Sequence, residues 1–99
     1  MDKIDKIGPT IVSTESGSKM WFLDGERHRE DGPAVVLRNG HKVWYLHGKK
    51  HRTDGPAIEW NDGQLCWYLF GNCMSFDKWL STNQTLSDEE KVMYKLQHG

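Results

Sequence analysis

Apolar positions along the chain come in short runs, and polar pairs ending in Gly separate them. Ala34–Arg38 is one run and His41–Leu46 the next, with Asn39-Gly40 between them. Such runs, rich in β-branched and aromatic residues, predict strands, and Asn-Gly favours the φ > 0 backbone of a type I′ hairpin turn. The plan recurs as Ala57–Asn61, Asp62-Gly63 and Gln64–Leu69, and in a weaker copy as Thr10–Thr14, Ser16-Gly17 and Lys19–Leu23. Six strands in three hairpins are therefore predicted. Alternation assigns the faces. Val35 and Leu37, with Ile58 and Trp60, belong on the core face, since Val36 between them becomes Glu59 in the next copy. In the second strands Trp and Leu share one face, and Phe22, Tyr45 and Tyr68 point the other way. Burial beneath the C-terminal segment is the expected fate of that aromatic stripe, because an exposed one is costly; an exposed ladder for a partner is the alternative.

The recurrence is a tandem repeat. Trp21, Trp44 and Trp67, then Leu23, Leu46 and Leu69, then Gly25, Gly48 and Gly71 all share a 23-residue spacing. Independent columns with one period mark an array of units. Pro9 precedes Pro33 by 24 residues, so one residue is inserted in the first unit. After Gly71 the pattern stops at "NCMSFDKWL", and a cap begins, as arrays require at their ends. Ser75 is placed to N-cap a short helix carrying Phe76, Trp79 and Leu80 on one side. Ser87 and Glu90 match a capping box, and Val92, Met93 and Leu96 form an apolar stripe expected to face the core, with a partner-binding groove as the alternative. The predicted architecture is mainly β with C-terminal α. It is an antiparallel β-meander of three tandem β-hairpin repeats over 8–71, capped by one or two short helices over 72–99, in one domain.

Between units lie the joints "DGERHREDGP" and "HGKKHRTDGP". His28, Arg29 and Asp31, and again His51, Arg52 and Asp54, have the residue types of a hydrolytic or metal site. Their repetition argues for structure, because a catalytic set is needed once and a joint in every unit. The expected bracket is Arg paired with Asp, His donating to a carbonyl, and Asp-Gly-Pro making the turn. Convergence of the joints on one solvent-lined pocket around an ion or ligand would speak for chemistry instead. No close Cys or His pair of zinc spacing occurs, and Cys66 and Cys73 are seven apart, so no metal site and no cofactor is expected. Nucleophile-elbow, P-loop and dinucleotide fingerprints are missing.

Composition adds limits. The net charge of −1 argues against a protein built to grip phosphate backbones. Charge is polarised, however: Lys19–Arg52 carries eight basic against four acidic residues, and 53–99 carries three against seven. Two cysteines are too few for a disulfide scaffold and suit a reducing cytoplasm. No apolar stretch is long enough to span a bilayer, and the first residues have no signal-peptide core.

The period, with a hairpin per unit and Gly at fixed places, resembles MORN-type repeats, although their Y-x-G-x-W opening is missing. The core "W-Y/F-L-x-G-x-x-H-R-x-D-G-P-A", carried by Trp21–Ala34 and Trp44–Ala57, more closely resembles repeats in small proteins of large tailed bacteriophages and other large DNA viruses. That resemblance covers about two-thirds of the chain and implies a scaffold or binding surface. The expectation is a non-enzymatic protein-binding module, phage-encoded and cytoplasmic in the host, that inhibits or modulates a host protein such as a defence or CRISPR effector. Candidate contacts are Phe22, Arg27, Tyr45, Lys49, Lys50 and Tyr68. The alternative is nucleic-acid or nucleotide binding through the basic, aromatic 19–52 segment. Self-association through an open sheet edge is a further option.

Overall fold

The structure is a computed structural model and describes residues 10–98. Pro9, on which the inserted residue of the first unit was placed, lies outside them, as do residue 8 at the start of the first unit and residue 99 at the end of the cap. Among the described residues, ten short antiparallel strands are followed by two helices. The strands are β1 (Thr10–Ser13), β2 (Lys19–Leu23), β3 (Glu26–Arg27), β4 (Val35–Val36), β5 (Lys42–Val43), β6 (Tyr45–Leu46), β7 (Lys49–Lys50), β8 (Ile58–Glu59), β9 (Leu65–Leu69) and β10 (Asn72–Met74). The helices are α1 (Phe76–Thr82) and α2 (Asp88–His98). The main sheet runs β1-β2-β4-β5-β8-β9-β10, with β3 on β2, and β6–β7 form a separate pair.

The count exceeds six because each unit makes two hairpins, not one. The second strand turns back at Asp24-Gly25, His47-Gly48 and Phe70-Gly71, pairing Phe22 with Arg27, Tyr45 with Lys50 and Tyr68 with Cys73. Both central residues have positive φ, 51° and 80° at Asp24-Gly25 and 51° and 84° at Phe70-Gly71. These are the type I′ turns. The Asn39-Gly40 turn is corrected: only Gly40 has positive φ there, its N–H donates to the Leu37 carbonyl at 2.9 Å, and Leu37 N–H donates to the His41 carbonyl at 2.9 Å. That is a three-residue loop, a type I turn closed by a Gly bulge. Thr14–Ser18 and Trp60–Gln64 close in the same way.

Each central Trp is where a strand changes neighbours. Trp44 N–H donates to the Ala57 carbonyl at 2.7 Å, while its own carbonyl accepts from His51 N–H at 3.1 Å; Trp21 does the same with Ala34 and His28. The close approach at that crossing leaves room only for a small side chain, and Ala34 and Ala57 are fully buried. Of the residues expected on the core face, Val35 and Ile58 are buried and Leu37 is half-buried. Trp60 is not: it is exposed, with its ring edge-on to His41 at 4.8 Å.

The densest packing is at the C-terminal end. Trp67, Leu69, Trp79 and Leu80 form one buried cluster, with Met74, Phe76, Leu86 and Tyr94 against it. Ser75 caps α1 by accepting from Lys78 N–H, and Ser87 and Glu90 cap α2 reciprocally at 2.9 and 3.1 Å. The stripe of α2 is a second correction. Val92, Met93 and Leu96 are 59, 59 and 79% exposed, and α2 instead docks through the half-buried Tyr94 against Trp79 and the exposed His98 against Trp67. The reason is polar and aromatic: Tyr94 reaches the Asp54 carbonyl, and His98 packs edge-on against Trp67 at 5.1 Å.

Candidate binding surfaces

The second hairpins build one face of the array. Register places Phe22 beside Arg27 and Tyr45 beside Lys50. Each cation then reaches into the next unit: Arg27 Cζ lies 5.5 Å from the Tyr45 ring centre, and Lys50 Nζ lies 5.3 Å from that of Tyr68. The result is a ladder that alternates ring and cation across all three units. Phe22, Tyr45 and Tyr68 are half-buried, between the two fates expected for them, and Arg27 and Lys50 lie over the rings of Tyr45 and Tyr68. Burial pushes the Tyr68 hydroxyl above its ordinary pKa, helped by its hydrogen bond with Cys73. Of the six candidate contacts, five share this ladder. Lys49 does not, because its register partner is Leu46 and its side chain therefore lies on the opposite face.

The opposite face carries the Trp/Leu columns and the joints. Arg29 stacks on Trp21 with Cζ 4.1 Å from the ring centre, and Arg52 on Trp44 at 3.8 Å. Arg29 Nε donates to Asp31 at 3.0 Å and Arg52 Nε to Asp54 at 2.8 Å, while each Nη1 donates to the following Pro carbonyl. Arg52 adds Glu59 at 2.9 Å. The guanidinium is thus clamped between an indole and a carboxylate, which fixes the Asp-Gly-Pro turn over the sheet.

The histidines act opposite to expectation. They accept, and the donor is backbone of the next unit: His47 N–H donates to His28 Nδ1 at 2.8 Å, and Phe70 N–H to His51 Nδ1 at 2.9 Å. Each His therefore satisfies a type I′ turn whose own geometry leaves that N–H without a strand partner. His28 is 1% exposed, and its Nε2 faces Glu30 at 3.2 Å. His51 is partly buried, and desolvation lowers its pKa below the ordinary histidine value. Nothing in the sequence pattern distinguishes an accepting from a donating His, so this role was visible only in three dimensions.

The joints do converge. Residues 29–32 and 51–54 line one cleft of about 640 Å³, floored by Trp44 and Leu46. Its arginines are committed to rings, carboxylates and carbonyls and His51 Nδ1 to a backbone N–H, while the His47 ring rests against that of His28 with centres 4.3 Å apart. Among the described residues, no group of three or more His, Cys, Asp or Glu side chains is gathered as a metal site. Cys66 and Cys73 are not joined, and among the described residues no helix is long and apolar enough to cross a membrane. No family model, curated protein or solved structure matches the chain.

Proposed function

We propose that the protein is a non-enzymatic protein-binding module whose contact face is the aromatic–cation ladder. One observation carries the reading: Arg27, Tyr45, Lys50 and Tyr68 form a single continuous stripe over successive units, held in place by their own cross-strand partners. A preformed surface lowers the ordering cost of association, and Tyr and Arg are frequent interface anchors. The two cations form no ion pair among the described residues, so the stripe favours an acidic partner surface. The joints, by contrast, commit their reactive groups to backbone and to each other. The likeness of the repeat core to viral repeats extends the proposal to a host protein as partner, with inhibition or modulation as the outcome.

Nucleic-acid binding is the weaker reading, because ring faces that would stack bases are occupied by Arg27 and Lys50. Affinity capture from a bacterial lysate by the wild-type chain and by a double variant, Arg27→Glu with Lys50→Glu, tests the choice. A single stoichiometric protein, retained by the wild type and lost with the variant, is the expected result. Equal recovery by both chains, or recovery of nucleic acid alone, overturns the ladder as a protein-binding face.

A further inference from the structure

The helical cap shows what the Trp/Leu face can hold. In the third unit Trp79 packs on Trp67 with ring centres 4.6 Å apart. Three cap side chains then hydrogen-bond three consecutive carbonyls of the second joint. Trp79 Nε1 donates to Arg52, Asn83 Nδ2 donates to Thr53 at 2.7 Å, and the Tyr94 hydroxyl donates to Asp54.

One repeat upstream the same surface recurs without a cap. Trp44 and Leu46 stand where Trp67 and Leu69 stand, and Arg29, Glu30 and Asp31 stand where Arg52, Thr53 and Asp54 stand. Both joints are anchored alike, Arg29 N–H on the Tyr45 carbonyl and Arg52 N–H on that of Tyr68. Among the described residues no donor reaches the carbonyls of 29, 30 or 31, and the space above them is the 640 Å³ cleft. Arg52 already covers one side of Trp44. Gly55 lies against the other face of the same guanidinium, so the surface is open only along Leu46 and the carbonyls of the first joint.

From this repetition we infer that the cleft is a second copy of the cap-docking site and takes a helical segment of a partner protein. The recognised chemistry is that of the resident cap: a Trp N–H donor, an amide donor four residues later as in Trp79 and Asn83, and a hydroxyl donor like that of Tyr94. A two-helix segment of this kind fills a groove by its periodic anchors: the first helix and the residue that ends it supply the Trp and amide donors, and the second helix supplies the hydroxyl, as α1, Asn83 and α2 do in the cap. The inference rests on the protein-binding reading but uses the opposite face from the ladder. The two therefore fail separately: the ladder variant leaves the cleft intact, and a cleft variant leaves the ladder intact.

The test is titration of the isotope-labelled full chain with a synthetic peptide spanning residues 75–98, up to about 1 mM, the weak end of specific binding. Amide shifts that saturate and centre on 29–32 and 44–47 are expected. A peptide carrying Trp79→Ala and Asn83→Ala should bind at least tenfold more weakly, as should the normal peptide to a Leu46→Lys chain. Absence of saturable shifts overturns the inference. So do shifts centred on Trp67 and Leu69, which mean exchange with the resident cap, and equal binding of the doubly substituted peptide. The peptide variants keep the test decisive even if Leu46→Lys disturbs the fold.

Discussion

The second and third units share the letters W-Y-L, yet they live in different environments. Trp67 and Leu69 are 7 and 8% exposed, whereas Trp44 and Leu46 are half-buried. The joints differ in parallel: Gly55 and Pro56 are buried and Gly32 and Pro33 are not. What separates the two is the segment that follows. After the second unit comes another joint, which lays one guanidinium on Trp44. After the third comes α1–α2, which lays an indole on Trp67 and closes three carbonyls besides. A repeat motif therefore specifies backbone path and hydrogen-bond partners, and its burial is set by the neighbour it receives.

Removing the neighbour is the strongest way to break the contrast. Trp79→Ala deletes a fully buried ring and the bond to the Arg52 carbonyl, and should cost about 3–5 kcal/mol in chemical denaturation. It should also leave Trp67 as solvent-accessible as Trp44, read by fluorescence quenching. A loss below about 1 kcal/mol, the scale of an ordinary substitution, would mean that the cap does not hold the third unit.

The joints give the next effect. Arg52 has a carboxylate on Nε, Glu59 and the Pro56 carbonyl on Nη1, and Trp44 beneath it; Arg29 lacks the counterpart of Glu59. Arg52→Ala should cost about 2 kcal/mol and Arg29→Ala about 1, given the usual worth of charge-assisted bonds at half-buried sites. A larger loss at Arg29 would refute the ordering. The same comparison extends to the turns, with a smaller effect of opposite sign. Phe70 holds φ 51°, a conformation costly for a bulky residue, and is 68% exposed. Phe70→Asn should stabilise by roughly 0.5 kcal/mol in the same denaturation assay, since Asn tolerates that backbone. Destabilisation would mean that the 4.4 Å contact between Phe70 and His51 outweighs the strain.

The period, the Gly columns, the helix caps and the three-unit layout were all legible in the sequence, because each rests on a residue type with a strong local preference. Other features were not. Asp24, His47 and Phe70 carry positive φ without being Gly, so only the fixed Gly after each of them hinted at a second hairpin. The α2 face was misjudged because Val92, Met93 and Leu96 dominate by hydropathy, while one hydroxyl and one imidazole decide the docking. The cleft was invisible for another reason: it arises where two copies of a joint face each other, and no single copy encodes it.

The smallest expected effect concerns pH. His51 must be unprotonated at Nδ1 to accept from Phe70, and burial already lowers its pKa in the folded chain. Its contribution is therefore full above the unfolded value of about 6.5 and lost as pH falls through the lower folded value. The melting temperature should drop on acidification across that window, and a His51→Phe chain should show a shallower slope. Identical slopes would place the pH dependence elsewhere.

The joint as a backbone clamp is the claim on which the rest stands, and the tautomers of His28 and His51 test it most directly. Long-range nitrogen–proton NMR in mildly alkaline buffer should find both rings protonated at Nε2, with Nδ1 bare and accepting from His47 and Phe70 N–H. A proton on Nδ1 of either ring would contradict it, since that ring would then be a donor with no backbone N–H to hold.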